Sequence, residues 1–278
     1  ADAARERGEP LLFSGPAPVC SSLGPPSIPN LERWFSSIAV KEIGLVLGRI
    51  KGLKHEAARK VAWAALSAIL VTVSNQDSET RYTARPKELA TGDVLAAFLR
   101  KLREVHGLLV AFREASAPRK ARVFLADARE LDDEAVGMVD AVVTSPPYAN
   151  AFDYHLYHRH RMYWLGYDPA ELRRREIGSH LNYQRRGDGI EIYRTDMEQC
   201  LKSIAKVLKP GGPCALVVGD SVFLGKVVDN AGVIASAAGE LGFKCLTVVE
   251  RRIHPVKRSM IKPARRARIE KIILLVRQ

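Results

Sequence analysis

The sequence contains little cysteine, and its cysteines do not cluster. Cys20, Cys200, Cys214 and Cys245 are scattered over 278 residues, and no pair has the C-x-x-C spacing. Zinc frameworks need clustered cysteines at such spacings, and disulfide scaffolds need many cysteines in a short chain. We therefore expect reduced, mostly buried thiols in a cytoplasmic protein, without structural zinc or a disulfide framework.

Long apolar runs are also missing. The longest run, residues 61–73, includes Trp63 and Ser67, and it is shorter than the roughly 20 residues that a membrane-spanning helix needs. This run is typical of a buried helix. No secretory signal is visible, and the chain begins at Ala1 without Met. These features predict a protein without membrane contact and suggest part of a longer polypeptide.

Negative charge is in the minority. The chain has 43 Lys and Arg against 31 Asp and Glu, which gives a formal net charge of +12. A surplus of this size favours a polyanionic partner such as a nucleic acid, without identifying it. The basic residues concentrate at 173–175, at 185–186 and from 251 to 268. Each stretch is either a phosphate-binding surface or merely a solvated one.

The first part of the chain divides into an irregular segment and a helical region. Residues 1–30 are rich in Pro, Gly and Ser, which is typical of linker chain. From residue 31 to about 118 the apolar spacing is helical, and Asn30 is a candidate cap for the first helix. Helices are predicted near 31–37, 38–52, 54–74 and 91–114, with a polar break at 74–78.

From residue 119 the pattern changes to strands that alternate with helices. This alternation predicts an α/β domain over residues 119–278, with a mostly parallel sheet covered by helices. Strands are predicted at 122–125, 139–144, 214–219, 244–251 and 269–276, and helices at 152–164, 194–208 and 230–241.

The most informative segment is Thr144-Ser145-Pro146-Pro147-Tyr148, which follows the predicted strand at 139–144. Ligands bind at the carboxyl ends of strands in open α/β sheets. Ser145 can accept a hydrogen bond through its hydroxyl oxygen and Pro146 through its carbonyl, while the prolines stiffen the turn and bring no N–H donor. The alternative is an ordinary turn after a core strand.

Two acceptors on a stiff turn suit the exocyclic amine of a nucleobase. The lone pair of such an amine is delocalised into the ring, so the amine is a poor nucleophile. Two acceptors that take both amine hydrogens direct this lone pair toward an electrophile. Tyr148 offers a ring face on which a flipped-out base can stack.

The Thr-Ser-Pro-Pro-Tyr segment resembles the catalytic motif of the amino DNA methyltransferases, which methylate cytosine at N4 or adenine at N6 with S-adenosylmethionine. Serine in the second position is more typical of the cytosine-N4 branch. The resemblance covers residues 121–278 well and the helical part more weakly. It implies a Rossmann-like class I methyltransferase sheet with an antiparallel final strand, DNA as the partner, and catalytic roles for Ser145, Pro146, Pro147 and Tyr148.

Cofactor and DNA contacts follow from the same resemblance and from the basic stretches. Asp127 resembles the position that contacts the adenine of the cofactor, and the alternative is an Asp that caps the turn before Leu131. Asp220 stands at another predicted strand end, where a plain turn explains it equally well. The candidate cofactor-binding residues are Asp127, Ala128, Thr144, Ser145 and Asp220, and the candidate nucleic-acid-binding residues are Tyr148, Arg173, Arg174, Arg185, Lys257 and Arg258.

One expected feature of the family is missing. Its members hold the methionine end of the cofactor with a glycine-rich loop, typically Phe-x-Gly-x-Gly, and residues 13–17 match this loop only in part. The simplest explanation is that the first strands precede Ala1 or belong to another polypeptide. The alternatives to a cytosine-N4 DNA methyltransferase are an adenine-N6 or RNA methyltransferase and a non-catalytic nucleic-acid-binding fragment or subunit.

Three histidines, His155, His158 and His160, lie close together in the sequence. The first two have an i, i+3 spacing, but the sequence offers no evident third ligand, and a metal site needs a full set. No metal site is predicted, and a solvated or DNA-facing helix is the better interpretation.

Overall fold

The computed structural model describes residues 27–79, 81–116, 121–150, 152–181, 189–252 and 269–278. The chain divides into two compact units. The helical unit comprises Ala1–Leu125 and His155–Leu172, and the α/β unit comprises Ala126–Tyr154 and Arg173–Gln278. The helical unit therefore includes residues 155–172, which lie within the 119–278 range predicted for the α/β domain.

The described elements include most of the predicted helices and strands, together with short strands that were not predicted. The helices are α1 (Leu31–Trp34), α2 (Ser37–Lys51), α3 (Glu56–Ile69), α4 (Asp93–Ala115), α5 (Asp133–Val136), α6 (Tyr154–Tyr157), α7 (Arg159–Leu165), α8 (Pro169–Arg175), α9 (Gly189–Val207) and α10 (Asn230–Gly239). The strands are β1 (Gln76–Ser78), β2 (Arg81–Ala84), β3 (Val142–Thr144), β4 (Pro213–Gly219), β5 (Ser221–Phe223), β6 (Lys226–Val228), β7 (Phe243–Arg252) and β8 (Ile269–Arg277).

The helical unit has its own core, formed by the apolar faces of α2, α3 and α4. In α2 the buried apolar residues recur at helical spacing, as Ala39, Ile43, Val46, Leu47 and Ile50. This spacing places them on one stripe of the helix. The segment at 74–78 was predicted only as a polar break between helices. It contains β1, and β1 pairs antiparallel with β2.

A buried carboxylate caps the longest helix of this unit. Helix α4 follows Gly92, which has no side chain to cap it. Glu42 of α2 takes this role, because its carboxylate accepts hydrogen bonds from the backbone N–H groups of Gly92 at 2.5 Å and Val94 at 3.1 Å. These N–H groups have no partner within the helix, and a negative charge at a helix N-terminus is favourable.

The α/β unit contains a four-stranded sheet in the order β3-β4-β8-β7. Strand β3 pairs parallel with β4, while β8 pairs antiparallel with both β4 and β7. Three strands therefore run in one direction, and the last strand in the sequence runs against them and lies between β4 and β7. The antiparallel final strand agrees with the expectation, and its place between β4 and β7 leaves β3–β4 as the one parallel pair of this described sheet, which is therefore mixed.

The predicted strand at 122–125 is wrong. Residues 121–127 form neither strand nor helix, and Val123, Phe124 and Leu125 are 51%, 40% and 69% exposed. An apolar run becomes a strand only where a neighbouring strand satisfies its backbone hydrogen bonds. Among the residues that the structure describes, no strand pairs with residues 122–125.

Burial in the α/β unit follows the sheet. Side chains of β4 and β8 such as Leu216, Val218 and Ile273 pack with Leu201 of α9 and Ile234 of α10 in one apolar core. Within the part of the chain that the structure describes, none of the helices combines the length and apolar character that crossing a bilayer requires.

Candidate active site

Ser145 stands directly after β3, at its carboxyl end. The residue is exposed, and its hydroxyl donates a hydrogen bond to the carbonyl oxygen of Val217 in β4, at 3.0 Å. In this bond the hydroxyl donates its one hydrogen to Val217, so its oxygen can accept, and the phenol of Tyr148 lies close enough to interact with the same side chain. Ser145 is thus a preset acceptor that solvent can reach.

The two prolines of the motif are held by neighbouring side chains and backbone. Pro146 is buried. The carbonyl of Pro147 accepts a 2.9 Å hydrogen bond from the hydroxyl of Tyr193, which is fully buried in α9. On the other side, a Cβ on Gly178 would lie 2.8 Å from the carbonyl oxygen of Tyr148, so only glycine fits there. The motif backbone is therefore rigid.

Tyr148 is half-buried, and its ring and hydroxyl have separate partners. The ring lies against Gly219, where a Cβ would come 3.0 Å from the ring carbon Cε2. The hydroxyl donates to Glu270 Oε1 at 3.0 Å. Burial, and next the hydrogen bond to the Glu270 carboxylate, raises the pKa of Tyr148 to about 12. The phenol therefore stays protonated near neutral pH.

Glu270 connects the motif to a third strand. Arg251 donates to the second oxygen of this carboxylate, through Nε at 3.1 Å and through a second guanidinium nitrogen. Glu270 lies opposite Gly219 in the β4–β8 register and opposite Arg251 in the β7–β8 register. Neighbouring positions of three strands thus meet around the Tyr148 side chain, with Gly219 at its ring, Glu270 at its hydroxyl and Arg251 behind Glu270.

The residues after the motif are buried and polar. Asn150 has a left-handed backbone, with φ of 57°, and its amide donates to the carbonyl of Val222 at 2.8 Å. The carboxylate of Asp153 accepts from the Ser179 hydroxyl at 2.7 Å and from the backbone N–H of Leu181 at 3.0 Å. These contacts fix the chain that leads out of the motif.

Asp127 is bound by arginine. Arg129 donates to its two carboxylate oxygens at 3.0 Å and 2.8 Å, and also to Asp196 of α9 at 2.7 Å. Arg175 lies 3.5 Å from the same carboxylate. The hydrogen bond from Arg129 lowers the pKa of Asp127 to about 2. Asp127 is therefore ionised near neutral pH, so both of its oxygens can accept, and it also closes a local ion-pair network.

Of the other cofactor candidates, Thr144 and Asp220 lie at strand ends, and Ala128 does not, because no described strand directly precedes it. Thr144 is half-buried as the last residue of β3, and Ala128 is exposed. Asp220 follows β4, and the ammonium of Lys271 lies 3.3 Å from it and 2.9 Å from Asp229. The sheet therefore brings Thr144, Ser145 and Asp220 to the carboxyl ends of the adjacent strands β3 and β4, as the sequence predicted for this edge.

The nucleic-acid candidates fall into two groups. Arg173 and Arg174 lie in the last turn of α8, and Arg174 is exposed. The candidates Arg185, Lys257 and Arg258 lie outside the described residues, as do residues 13–17 with their partial glycine motif.

Two of the three histidines contact other side chains of the helical unit. His158 Nδ1 lies 2.9 Å from Arg161. His160 is 1% exposed and packs against Trp34, with 4.5 Å between the ring centroids, and against Phe35 at 5.5 Å. The expectation of a solvated helix is therefore wrong for His160, which is a core residue.

Sequence reasoning missed the groups that fix Tyr148. Glu270 lies 122 positions from Tyr148, and nothing in its local pattern distinguishes it from a surface charge. Gly219 carried a signal, since a glycine inside or at the end of a strand often marks a close approach of another group. Tyr193, which binds the Pro147 carbonyl, lies just before the helix predicted at 194–208 and was not singled out.

Neither a protein-family model nor a curated protein matches this chain. The solved structures that resemble it include three of a Thermus thermophilus protein provisionally described as a DNA modification methylase. One, solved with S-adenosyl-L-methionine, has 21% identity and a TM-score of 0.34, and the match covers 55% of this chain and 51% of the other. Another has 22% identity and a TM-score of 0.33, over 55% and 52%. This chain spans about half the length of the solved structures it matches, and such scores do not establish a shared fold.

Proposed function

We propose that this chain is the catalytic part of a DNA methyltransferase that transfers a methyl group from S-adenosylmethionine to the exocyclic amine of a flipped-out base, with N4 of cytosine as the target. One observation carries the proposal. Ser145 presents an oriented hydroxyl oxygen to solvent at a strand end, with its hydrogen committed to Val217, next to a phenol ring held in place. A plain turn after a core strand needs neither arrangement.

The residues of the motif divide the work of positioning. The Ser145 oxygen and the Pro146 carbonyl accept the two hydrogens of the amine and aim its lone pair, while Tyr148 stacks on the extruded base. The methylated amine is acidic and releases its proton readily, so a strong general base is not required. The rate enhancement then comes from orientation and electrostatics on a rigid turn, which agrees with the contacts of Pro147 to Tyr193.

The cofactor is proposed on a partial fit. S-adenosylmethionine supplies an electrophilic methyl carbon on a sulfonium. The carboxylates of Asp127 and Asp220 can accept from amino or hydroxyl groups, although each already faces a cation, Arg129 or Lys271. Thr144, Ser145 and Ala128 complete the proposed adenosine-side contacts. The described residues include no glycine-rich loop for the methionine end, so we propose that a further polypeptide segment or subunit provides it.

DNA as the partner fits the charge of the chain. The net charge of +12 supplies attraction to phosphates that does not depend on sequence. We propose that Arg173 and Arg174 of α8, together with Arg185, Lys257 and Arg258, contact the backbone while the base is extruded.

The decisive experiment uses the chain in its native host, where any partner is present. Chromosomal DNA and total RNA from strains with the wild-type allele, Ser145→Ala, or the exposed control Ser37→Ala are digested to nucleosides and analysed by mass spectrometry. We expect N4-methylcytosine in DNA with the wild type and the control, and its loss with Ser145→Ala.

Each other outcome overturns part of the proposal. Loss of N6-methyladenine instead would make adenine the target, and loss of a methylated ribonucleoside would make RNA the substrate. Identical nucleosides in all three strains would leave only a non-catalytic role. Calorimetry of the purified chain with S-adenosylmethionine addresses the missing loop, since tight binding by the chain alone would argue against a separate subunit.

A further inference from the structure

We infer that Glu270 and Arg251 are positioning residues that set the orientation of the Tyr148 ring, an inference that rests on the proposed stacking role of Tyr148. Neither residue belongs to the motif. Their connection to it runs through the phenol hydroxyl.

The sheet register brings these side chains together. Glu270 of β8 is paired with Gly219 of β4 on one side and with Arg251 of β7 on the other. Gly219 supports the ring of Tyr148, and Glu270 binds its hydroxyl. The ring is thus held at two points that a single row of the sheet provides.

The supporting strand end is itself fixed. The carbonyl of Gly219 accepts a 2.8 Å hydrogen bond from the amide of Asn230, a fully buried residue of α10. The same amide contacts the Ser221 hydroxyl at 3.1 Å. Gly219 cannot move away from the ring without breaking its bond to Asn230. The position of the Tyr148 ring is therefore set by the sheet and not only by the rotamer of Tyr148.

Electrostatics explain why two residues are needed. The side chain of Glu270 is 17% exposed and that of Arg251 is 59% exposed. A carboxylate this poorly hydrated is costly without a paired cation, and Arg251 supplies the cation from the solvent side. One oxygen of Glu270 therefore accepts from the phenol while the other is held by Arg251, and the hydrogen bonds of Arg251 reach Tyr148 through Glu270.

The functional consequence concerns entropy. A free tyrosine side chain must be ordered when a base stacks on it, and a side chain that is already immobilised avoids that cost. A ring already held at its hydroxyl and along one side presents a fixed surface to the base. Loss of the hold should reduce the fraction of bound substrate in a reactive geometry, which lowers kcat more than it raises KM.

Steady-state methyl transfer tests the kinetic part. We expect Glu270→Ala and Tyr148→Phe each to lower kcat by about 10-fold, in line with the cost of small misplacements. The double variant should be no slower than either single variant, because both changes remove the same contact. Arg251→Ala should also lower kcat, Arg251→Lys should restore much of it, and Lys244→Ala, an equal charge change at the other end of β7, should have no effect.

A spectroscopic measurement tests the inference without activity. The protein has eight tyrosines, so its 3-fluorotyrosine form gives a tractable ¹⁹F NMR spectrum, and Tyr148→Phe identifies the Tyr148 resonance. We expect this resonance to shift and sharpen in Glu270→Ala and Arg251→Ala, as for a freer ring, and to stay unchanged in Lys244→Ala.

The two measurements separate the possible failures. An unchanged Tyr148 resonance in Glu270→Ala, or additive kinetic losses in the double variant, would overturn the positioning role. If the Tyr148 resonance changes in the variants but the wild-type protein transfers no methyl group, the positioning of Tyr148 stands and the proposed function is wrong.

Discussion

The ring of Tyr148 lies so close to Gly219 that a single methyl group on that glycine would come within 3.0 Å of ring carbon Cε2. The strand cannot retreat easily, because Asn230 binds the carbonyl of Gly219. The ring must therefore give way to any side chain at position 219.

Gly219→Ala is accordingly expected to impair methyl transfer more than folding. We expect kcat to fall by about 10-fold or more, since small displacements of a positioning group have large kinetic effects. The matched control is Gly239→Ala in α10, where a Cβ meets nothing within 4 Å and where alanine should stabilise the helix by up to about 1 kcal/mol. Equal activities in the two variants would show that the Tyr148 ring adapts.

Asp127 and Asp196 offer a matched test of cofactor contact. Both carboxylates bind Arg129, with side-chain exposures of 13% and 15%. Asp127→Asn and Asp196→Asn should each lower the free energy of unfolding by about 1.5–3 kcal/mol, the range for hydrogen bonds to charged groups. Only Asp127→Asn should weaken binding of S-adenosylmethionine, measured by calorimetry with the segment or subunit that completes the cofactor site present. Equal weakening by both variants would mean that Asp127 serves only the ion-pair network.

His160 predicts acid sensitivity of the helical unit. Burial, and next the charge of Arg159, lowers the pKa of His160 from 6.5 to about 4. Among the described residues neither ring nitrogen has a hydrogen-bond partner. Between pH 6.5 and 4, His160 therefore binds a proton in the unfolded chain and stays neutral in the folded chain. The stability that neutral His160 contributes is complete above pH 6.5 and is lost as the pH falls toward 4.

Urea unfolding at several pH values measures this effect. The contribution of one such group to the slope is at most about 1.4 kcal/mol per pH unit. His160→Phe should flatten the decline of the free energy of unfolding between pH 6.5 and 4, and His106→Gln, at an exposed site of α4, should not. A decline of equal steepness in the wild type and His160→Phe would assign the acid sensitivity to other groups.

Glu42 provides the cap on which the start of α4 depends. Glu42→Ala leaves the N–H groups of Gly92 and Val94 without their acceptor, and we expect a loss of about 1–3 kcal/mol in the free energy of unfolding. Glu42→Gln should recover part of it through the amide oxygen. Glu114→Ala, at the exposed end of the same helix, should change stability little when unfolding is followed by circular dichroism.

The sequence alone determined the elements whose signals are local. Helical spacing in α2, the long strands β4, β7 and β8, and the position of Ser145 after a strand were all predictable, because each depends on apolar periodicity and turn residues within a short window. The mistaken strand at 122–125 shows the limit of this reasoning, since an apolar run forms a strand only with a partner.

The tertiary structure decided what those elements bring together. The insertion of β8 between β4 and β7, the contact of Glu270 with Tyr148, and the cap that Glu42 provides for α4 each join residues far apart in the chain. Local patterns encode the tendency of a segment to extend or coil and the face it buries. They do not encode its neighbour, because pairing depends on which arrangement of the whole chain buries the most apolar surface while leaving the fewest polar groups unpaired.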